Sequence, residues 1–186
     1  IGGSFNDSIT GSSLSDTLSG GLGNDSIEGG AGNDTLIGGG GIDFLSYATA
    51  SGAVTVNLAT STVTGAAGLD SISGFEAVIG SSLSDSITGS SLSDTIFGGA
   101  GNDLINAGPG TDTVDGGAGN DTPNGGGGSD WLTFSTATSG IRLNLGSTVA
   151  QSIGGGLGVD TLTLGISNAL GTAASFYNAV GTQYAD

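Results

Sequence analysis

The chain has 186 residues, 40 of them glycine and two proline, with 17 acidic residues against one basic residue, Arg142, for a net charge of −16. Glycine inside a helix costs roughly 0.5–1 kcal/mol relative to alanine, so long helices are excluded, and scarce proline without a three-residue glycine period excludes a collagen-type helix. The acidity excludes nucleic acid and anionic membrane as partners, and the absence of histidine, cysteine and lysine removes the usual catalytic bases, thiol nucleophiles and zinc ligands, leaving oxygen ligation of a hard cation such as calcium.

The first predicted unit, residues 1–46, holds five consecutive nonapeptides: GGSFNDSIT from Gly2, GSSLSDTLS from Gly11, GGLGNDSIE from Gly20, GGAGNDTLI from Gly29 and GGGGIDFLS from Gly38. Their common pattern is G-G-x-G-x-D-x-U-x, with U apolar. Residues 47–79 are a spacer, in which Val54, Val56 and Leu58 alternate as a strand would, with one isolated copy, GAAGLDSIS, from Gly65. The second block, 80–133, has six copies: GSSLSDSIT, GSSLSDTIF, GGAGNDLIN, AGPGTDTVD, GGAGNDTPN and GGGGSDWLT. A second spacer, 134–180, carries the alternating Ile141, Leu143 and Leu145 and one isolated copy, GGLGVDTLT, and residues 181–186 start a further truncated repeat. DFLSYATASGAVTVNLA from Asp43 parallels DWLTFSTATSGIRLNLG from Asp130, so a larger module occurs twice, and the chain reads as a piece of a longer array. No run of about 18 apolar residues and no charged-then-apolar leader is present, so neither a membrane span nor a signal peptide is expected.

Position six of the pattern is acidic at Asp7, Asp16, Asp25, Asp34, Asp43, Asp70, Asp85, Asp94, Asp103, Asp112, Asp121, Asp130, Asp160 and Asp186. A solvated acidic face would not keep one phase of a nine-residue period. Within x-U-x, alternate side chains point to opposite faces of a strand, so the U residues Ile9, Leu18, Ile27, Leu36, Leu45, Ile87, Ile96, Ile105, Val114 and Leu132 form a thin core. Glycines at positions one, two and four permit positive φ and close backbone approach.

These motifs resemble the RTX, or hemolysin-type, calcium-binding repeat of secreted bacterial proteins. The resemblance implies an all-β parallel β-roll, or β-helix solenoid, with eighteen residues per rung and several calcium ions bound between turns. It also implies a ligand set in which one turn supplies two carbonyls and its Asp, and the turn eighteen residues on supplies two more and its own Asp. Carried onto this chain, the best metal sites join Gly21, Gly23 and Asp25 to Gly38, Gly40 and Asp43; Gly99, Gly101 and Asp103 to Gly116, Ala118 and Asp121; and Gly108, Gly110 and Asp112 to Gly125, Gly127 and Asp130. Weaker sites involve Asp7, Asp16, Asp34, Asp85 and Asp94, because Phe5, Leu14, Leu83 and Leu92 replace the position-four glycine and resist positive φ; Tyr184 does so in the last copy. Each block opens with two such copies, which are read as one adapting rung.

Pro123 at a U position predicts a strand that is broken or at an edge. Phe44, Tyr47, Trp131 and Phe134 recur where a perfect run ends, and are read as covers of an exposed core end rather than as a sugar platform. Glu76 and Asp70 are set aside as an acid–base couple for want of a histidine or cationic partner, and Arg142 is read as a solvated or ion-paired strand residue.

The expected function is a calcium-loaded structural module of a large secreted or cell-surface bacterial protein, of adhesin, surface-layer (S-layer) or filament type, folding on calcium binding after export. Its expected partners are calcium and neighbouring modules of the same chain, with self-assembly, and it is not an enzyme. The alternative is an accessory calcium-dependent module of an extracellular RTX enzyme or toxin. Ice binding by threonine rows ranks last, since Thr-x-Thr recurs only sporadically.

Overall fold

The computed structural model describes residues 1–135 together with the backbone of three strands at 151–152, 159–160 and 176–180. The strand alternation read at Ile141, Leu143 and Leu145, most of the repeat from Gly155, and the truncated repeat at 181–186 lie outside the described residues.

Among the described residues every regular element is a strand, as expected for glycine-rich nonapeptides. One face of the solenoid stacks Ser8–Thr10, Ser26–Glu28, Phe44–Ser46, Ala77–Ile79, Thr95–Phe97, Thr113–Asp115 and Asp130–Thr133 in parallel, followed by Phe176–Val180. The opposite face stacks Thr17–Leu22, Thr35–Gly40 and Gly68–Ser73, then Thr62–Gly65 and Val54–Asn57, then Ser86–Thr88, Leu104–Asn106 and Thr122–Asn124. Within the blocks, partners lie eighteen residues apart, as in Ile9↔Ile27 and Ile87↔Ile105. This is the rung expected from two nonapeptides per turn.

The U residues supply the core. Ile27, Leu36, Leu45, Ile87, Ile96, Ile105, Val114 and Leu132 are buried, while Ile9 and Leu18 in the first rung are only partly covered. Tyr47 and Phe134 are buried in the same core, as their reading as covers requires, but Trp131 is exposed. Pro123 sits in an unbroken strand at the open edge of its sheet. The Thr122 amide bonds back to Asp103 O, so by strand alternation the missing proline amide would face outward, where it interrupts no described pairing.

The first spacer does not leave the solenoid. Val54–Asn57 pairs in parallel with Ser86–Thr88, Thr62–Gly65 runs antiparallel to it, and Gly68–Ser73 turns back to pair in parallel with Thr35–Gly40. On the other face Phe44–Ser46 pairs directly with Ala77–Ile79. The meander therefore inserts two strands on one face that have no counterpart on the other. Phe176–Val180 pairs with Asp130–Thr133 as Ala77–Ile79 does with Phe44–Ser46, so the second spacer also returns to the first face.

Candidate metal centre

Two rows of turns flank the sheets. In the first row Asp7, Asp25 and Asp43 stack at the position before each strand, and Asp94, Asp112 and Asp130 continue it beyond the spacer. In the second row the stack is Asp16, Asp34 and Asp70, and after the meander Asp85, Asp103 and Asp121. Within each block an aspartate is tied to the previous one in its row by a single rule: its Oδ1 accepts the backbone N–H of the earlier aspartate. The distances are 2.8 Å for Asp7 N to Asp25, 2.7 Å for Asp25 N to Asp43, 2.8 Å for Asp85 N to Asp103, 2.9 Å for Asp103 N to Asp121 and 3.0 Å for Asp112 N to Asp130.

The other carboxylate oxygen separates two kinds of turn. In Asp25, Asp34, Asp43, Asp103, Asp112 and Asp130, Oδ2 is buried with no hydrogen-bond partner. A Cβ built on Gly98 would lie 2.5 Å from Asp103 Oδ2 and 2.4 Å from Gly116 O, and one on Gly20 would lie 2.1 Å from Asp25 Oδ2 and 2.6 Å from Gly38 O. Two acceptor oxygens thus converge in a cradle that only the missing side chain leaves open. A buried carboxylate oxygen without a donor, set against a second acceptor, is costly unless a proton or a cation lies between them. Within the two blocks position-one glycines accordingly serve close approach, and positive φ falls at positions two and four, as at Gly21 (111°) and Gly23 (116°).

In the second kind of turn the protein supplies its own donor. Ser12 N and Oγ bond Asp16 Oδ2 at 2.7 and 2.8 Å, Ser81 N bonds Asp85 Oδ2 at 2.6 Å, and Ser90 N and Oγ bond Asp94 Oδ2 at 2.7 and 3.0 Å. Each serine Oγ also accepts the N–H of the leucine at position four, Leu14, Leu83 or Leu92. Asp7 is capped by Gly3 N at 2.6 Å. Asp7, Asp16, Asp85 and Asp94 were among the sites ranked as weaker from sequence, and in the last three the serine of G-S-S-L-S-D supplies the carboxylate with a donor, whereas Asp34, ranked with them, has an Oδ2 without one.

Stacking explains why leucine stands only at the head of a block. A Cβ on the position-four glycine of a following turn would strike the turn beneath it: 2.6 Å from Phe5 C for Gly23, 2.8 Å from Leu14 C for Gly32, and 2.5 Å from Leu83 C for Gly101. Leucine fits where no full nonapeptide turn lies beneath, as at Leu83 above the meander and Leu92 above a shortened turn. Gly110 in A-G-P-G-T-D lacks the positive φ of the other position-four glycines, so the turn of Asp112 has its own backbone path, with Pro109–Gly110 pairing to Gly127–Gly128.

The expected carbonyl ligands also link successive turns. Gly40 O accepts Gly23 N at 2.9 Å, Ala118 O accepts Gly101 N at 2.8 Å, Gly99 O accepts Ala118 N at 2.9 Å, and Gly108 O accepts Gly127 N at 3.0 Å. Each keeps a second lone pair. Among the described residues no group of three or more acidic side chains forms a metal cluster, so a cation here would need carbonyls beside the carboxylate pairs. Six to eight such oxygens suit calcium.

Burial, reinforced by the charges of Asp121 and Asp85 and opposed by the bond from Asp85 N–H, pushes Asp103 up to about 7. Burial likewise pushes Asp112 up to about 6 and raises Asp94, Asp121 and Asp130. Asp16 is lowered by its bonds from Ser12.

Three contributions were not read from the sequence. Position five forms an outer ladder: Asn6 Oδ1 accepts Asn24 N, Asn24 Oδ1 accepts Ile42 N, and Asn102 Oδ1 accepts Asn120 N, at 2.8 to 3.0 Å. The recurring Asn or Ser before the aspartate was the available signal. Tyr47 donates its hydroxyl to Asp70 Oδ2 at 2.8 Å, which ends the second row before the meander, and burial beside that carboxylate holds the phenol protonated. Asp115, outside position six, is a buried structural cap for Gly117 N and Ser135 N.

No curated protein matches the chain. Residues 10–45 and 88–123 match the family described as RTX calcium-binding nonapeptide repeat (4 copies), each span covering four consecutive nonapeptides of the two stacks just described. These two spans therefore carry RTX calcium-binding nonapeptide repeats, stacked in a parallel β-solenoid.

Proposed function

We propose that this solenoid is a calcium-dependent structural module of a large secreted or surface-attached bacterial protein of adhesin, surface-layer or filament type, and that it performs no catalysis. The observation that carries the reading is the set of buried, donor-free Oδ2 atoms facing carbonyls at Asp25 and Asp103, two acceptors that calcium would join. Gly21, Gly23 and Asp25 with Gly38, Gly40 and Asp43 would hold one ion, and the sets ending in Asp103/Asp121 and Asp112/Asp130 would hold two more. The ion would supply the positive charge that lets stacked carboxylates stay ionised out of water. Two carboxylates one strand spacing apart, about 4.8 Å, repel by roughly 3.5 kcal/mol at an effective dielectric of 20.

Binding free energy then becomes folding free energy, and folding waits for the calcium outside the cell. Two copies of the larger module support a role as an extended array whose partners are its own neighbouring modules. Circular dichroism tests the reading: coil in chelator and strand in about 1 mM calcium, the range of extracellular modules. A β spectrum unchanged by chelation would overturn it. Hydrolysis of an ester, peptide or glycoside by the purified chain, abolished by a carboxylate substitution, would overturn the non-catalytic part.

A further inference from the structure

The first row of turns crosses the spacer through a residue that is not in any nonapeptide. Asp43 N–H donates to Glu76 Oε2 at 3.0 Å, as Asp25 N–H donates to Asp43 Oδ1, although Glu76 lies 33 residues on instead of 18. Glu76 precedes Ala77–Ile79, which pairs with Phe44–Ser46, so it occupies the aspartate position of the row. The turn before it is cut to Gly74, Phe75 and Glu76. Even so, it returns a carbonyl to the expected place: a Cβ on Gly38 would lie 1.8 Å from Gly74 O and 2.8 Å from Asp43 Oδ2, as one on Gly20 meets Gly38 O and Asp25 Oδ2. Asp43 is fully buried and its Oδ2 has no partner, so an unsatisfied acceptor is aimed at the oxygens of the shortened turn.

Resting on the calcium reading above, we infer that Asp43, Gly74 O and Glu76 form a further calcium site, which carries the first row of ions into the spacer. The two rows then part company. In the second row the Tyr47 hydroxyl satisfies Asp70 Oδ2 and closes the row, whereas in the first the glutamate keeps it open to a cation. Continuity on one edge fixes Ala77–Ile79 against Phe44–Ser46, and so sets the register with which the second block restarts.

Equilibrium dialysis of the whole chain against calcium counts the ions, and circular dichroism in saturating calcium reports folding. Glu76→Gln keeps an oxygen to accept the Asp43 amide but loses the charge, so the variant folds and binds one ion fewer. Glu28→Gln, which removes a carboxylate outside both rows, binds the full number. If Glu76→Gln fails to fold, Asp43→Asn decides: two ions are lost if Asp43 serves sites toward both Asp25 and Glu76, and one if it serves only Asp25. An unchanged ion number in Glu76→Gln, or loss of a single ion in Asp43→Asn, overturns the site while leaving the calcium reading standing. A wild-type chain that binds no calcium removes that reading, and this site with it.

Discussion

Replacing Asp103 by Asn separates the two roles of an aspartate in this stack. Its Oδ1 accepts Asp85 N at 2.8 Å, and asparagine keeps that acceptor. Its Oδ2 has no donor and shares the Gly98 cradle with Gly116 O, and the amide of asparagine places an N–H there. Satisfying one buried acceptor is worth roughly 1–3 kcal/mol, a factor on the order of 5 to 150 in the folding equilibrium, and the charges of Asp85 and Asp121 lose a like-charged neighbour as well. Asp103→Asn is therefore expected to raise the β signal in chelator and to shrink the increment that calcium adds. Asp85→Asn should do the opposite in chelator, because its Oδ2 already receives Ser81 N–H and an amide there would set donor against donor. Circular dichroism of both variants, with and without calcium, reads the two signs. Loss of β signal in chelator by both variants would show that the carboxylates act through packing and shape, and would refute the reasoning.

Acidification should favour the calcium-free fold. Asp103 and Asp112 sit at about 7 and 6 when folded, above the unfolded carboxylate value of 3.8, so the folded state takes up protons; the penalty is absent below about pH 4, grows through this range and is complete above about pH 7. Dichroism in chelator from pH 8 to 5 should therefore gain strand signal, and the calcium midpoint should rise as protons compete. Tyr47→Phe removes the only hydrogen-bond donor that Tyr47 offers Asp70 Oδ2, and should cost roughly 1–3 kcal/mol in a thermal melt in calcium, with an unchanged melt refuting the plug. Gly101→Ala combines a φ of 115° with a contact 2.5 Å from Leu83 C and should destabilise by at least about 1–3 kcal/mol, while the exposed Leu92→Ala should stay within about 0.5 kcal/mol. Equal effects of these two in urea titrations would refute the stacking account.

What the sequence determined by itself is everything carried by the nine-residue phase. Glycine at positions two and four, one aspartate and one apolar residue per nonapeptide are local features, and local features specify a turn followed by a three-residue strand with one inward side chain. Ile27, Leu36, Ile96 and Ile105 were legible as core for that reason, as was the division between glycine turns and leucine turns, while the eighteen-residue rung came only with the resemblance to the RTX repeat. The tertiary structure decided whatever depends on which turn lies beneath which. Asp34 stacks under Asp70, 36 residues on, and Asp43 under Glu76, 33 residues on, because the meander of Val54–Asn57, Thr62–Gly65 and Gly68–Ser73 spends its residues on one face while the other face closes directly. A period cannot announce a register that breaks it. Glu76 was in phase with Gly80, but its turn had lost three residues, and Tyr47 carried no sign in the sequence that its hydroxyl would meet Asp70. The serine caps belong to the same class: only the folded turn brings Ser12, Ser81 and Ser90 within hydrogen-bonding reach of the aspartate four residues on.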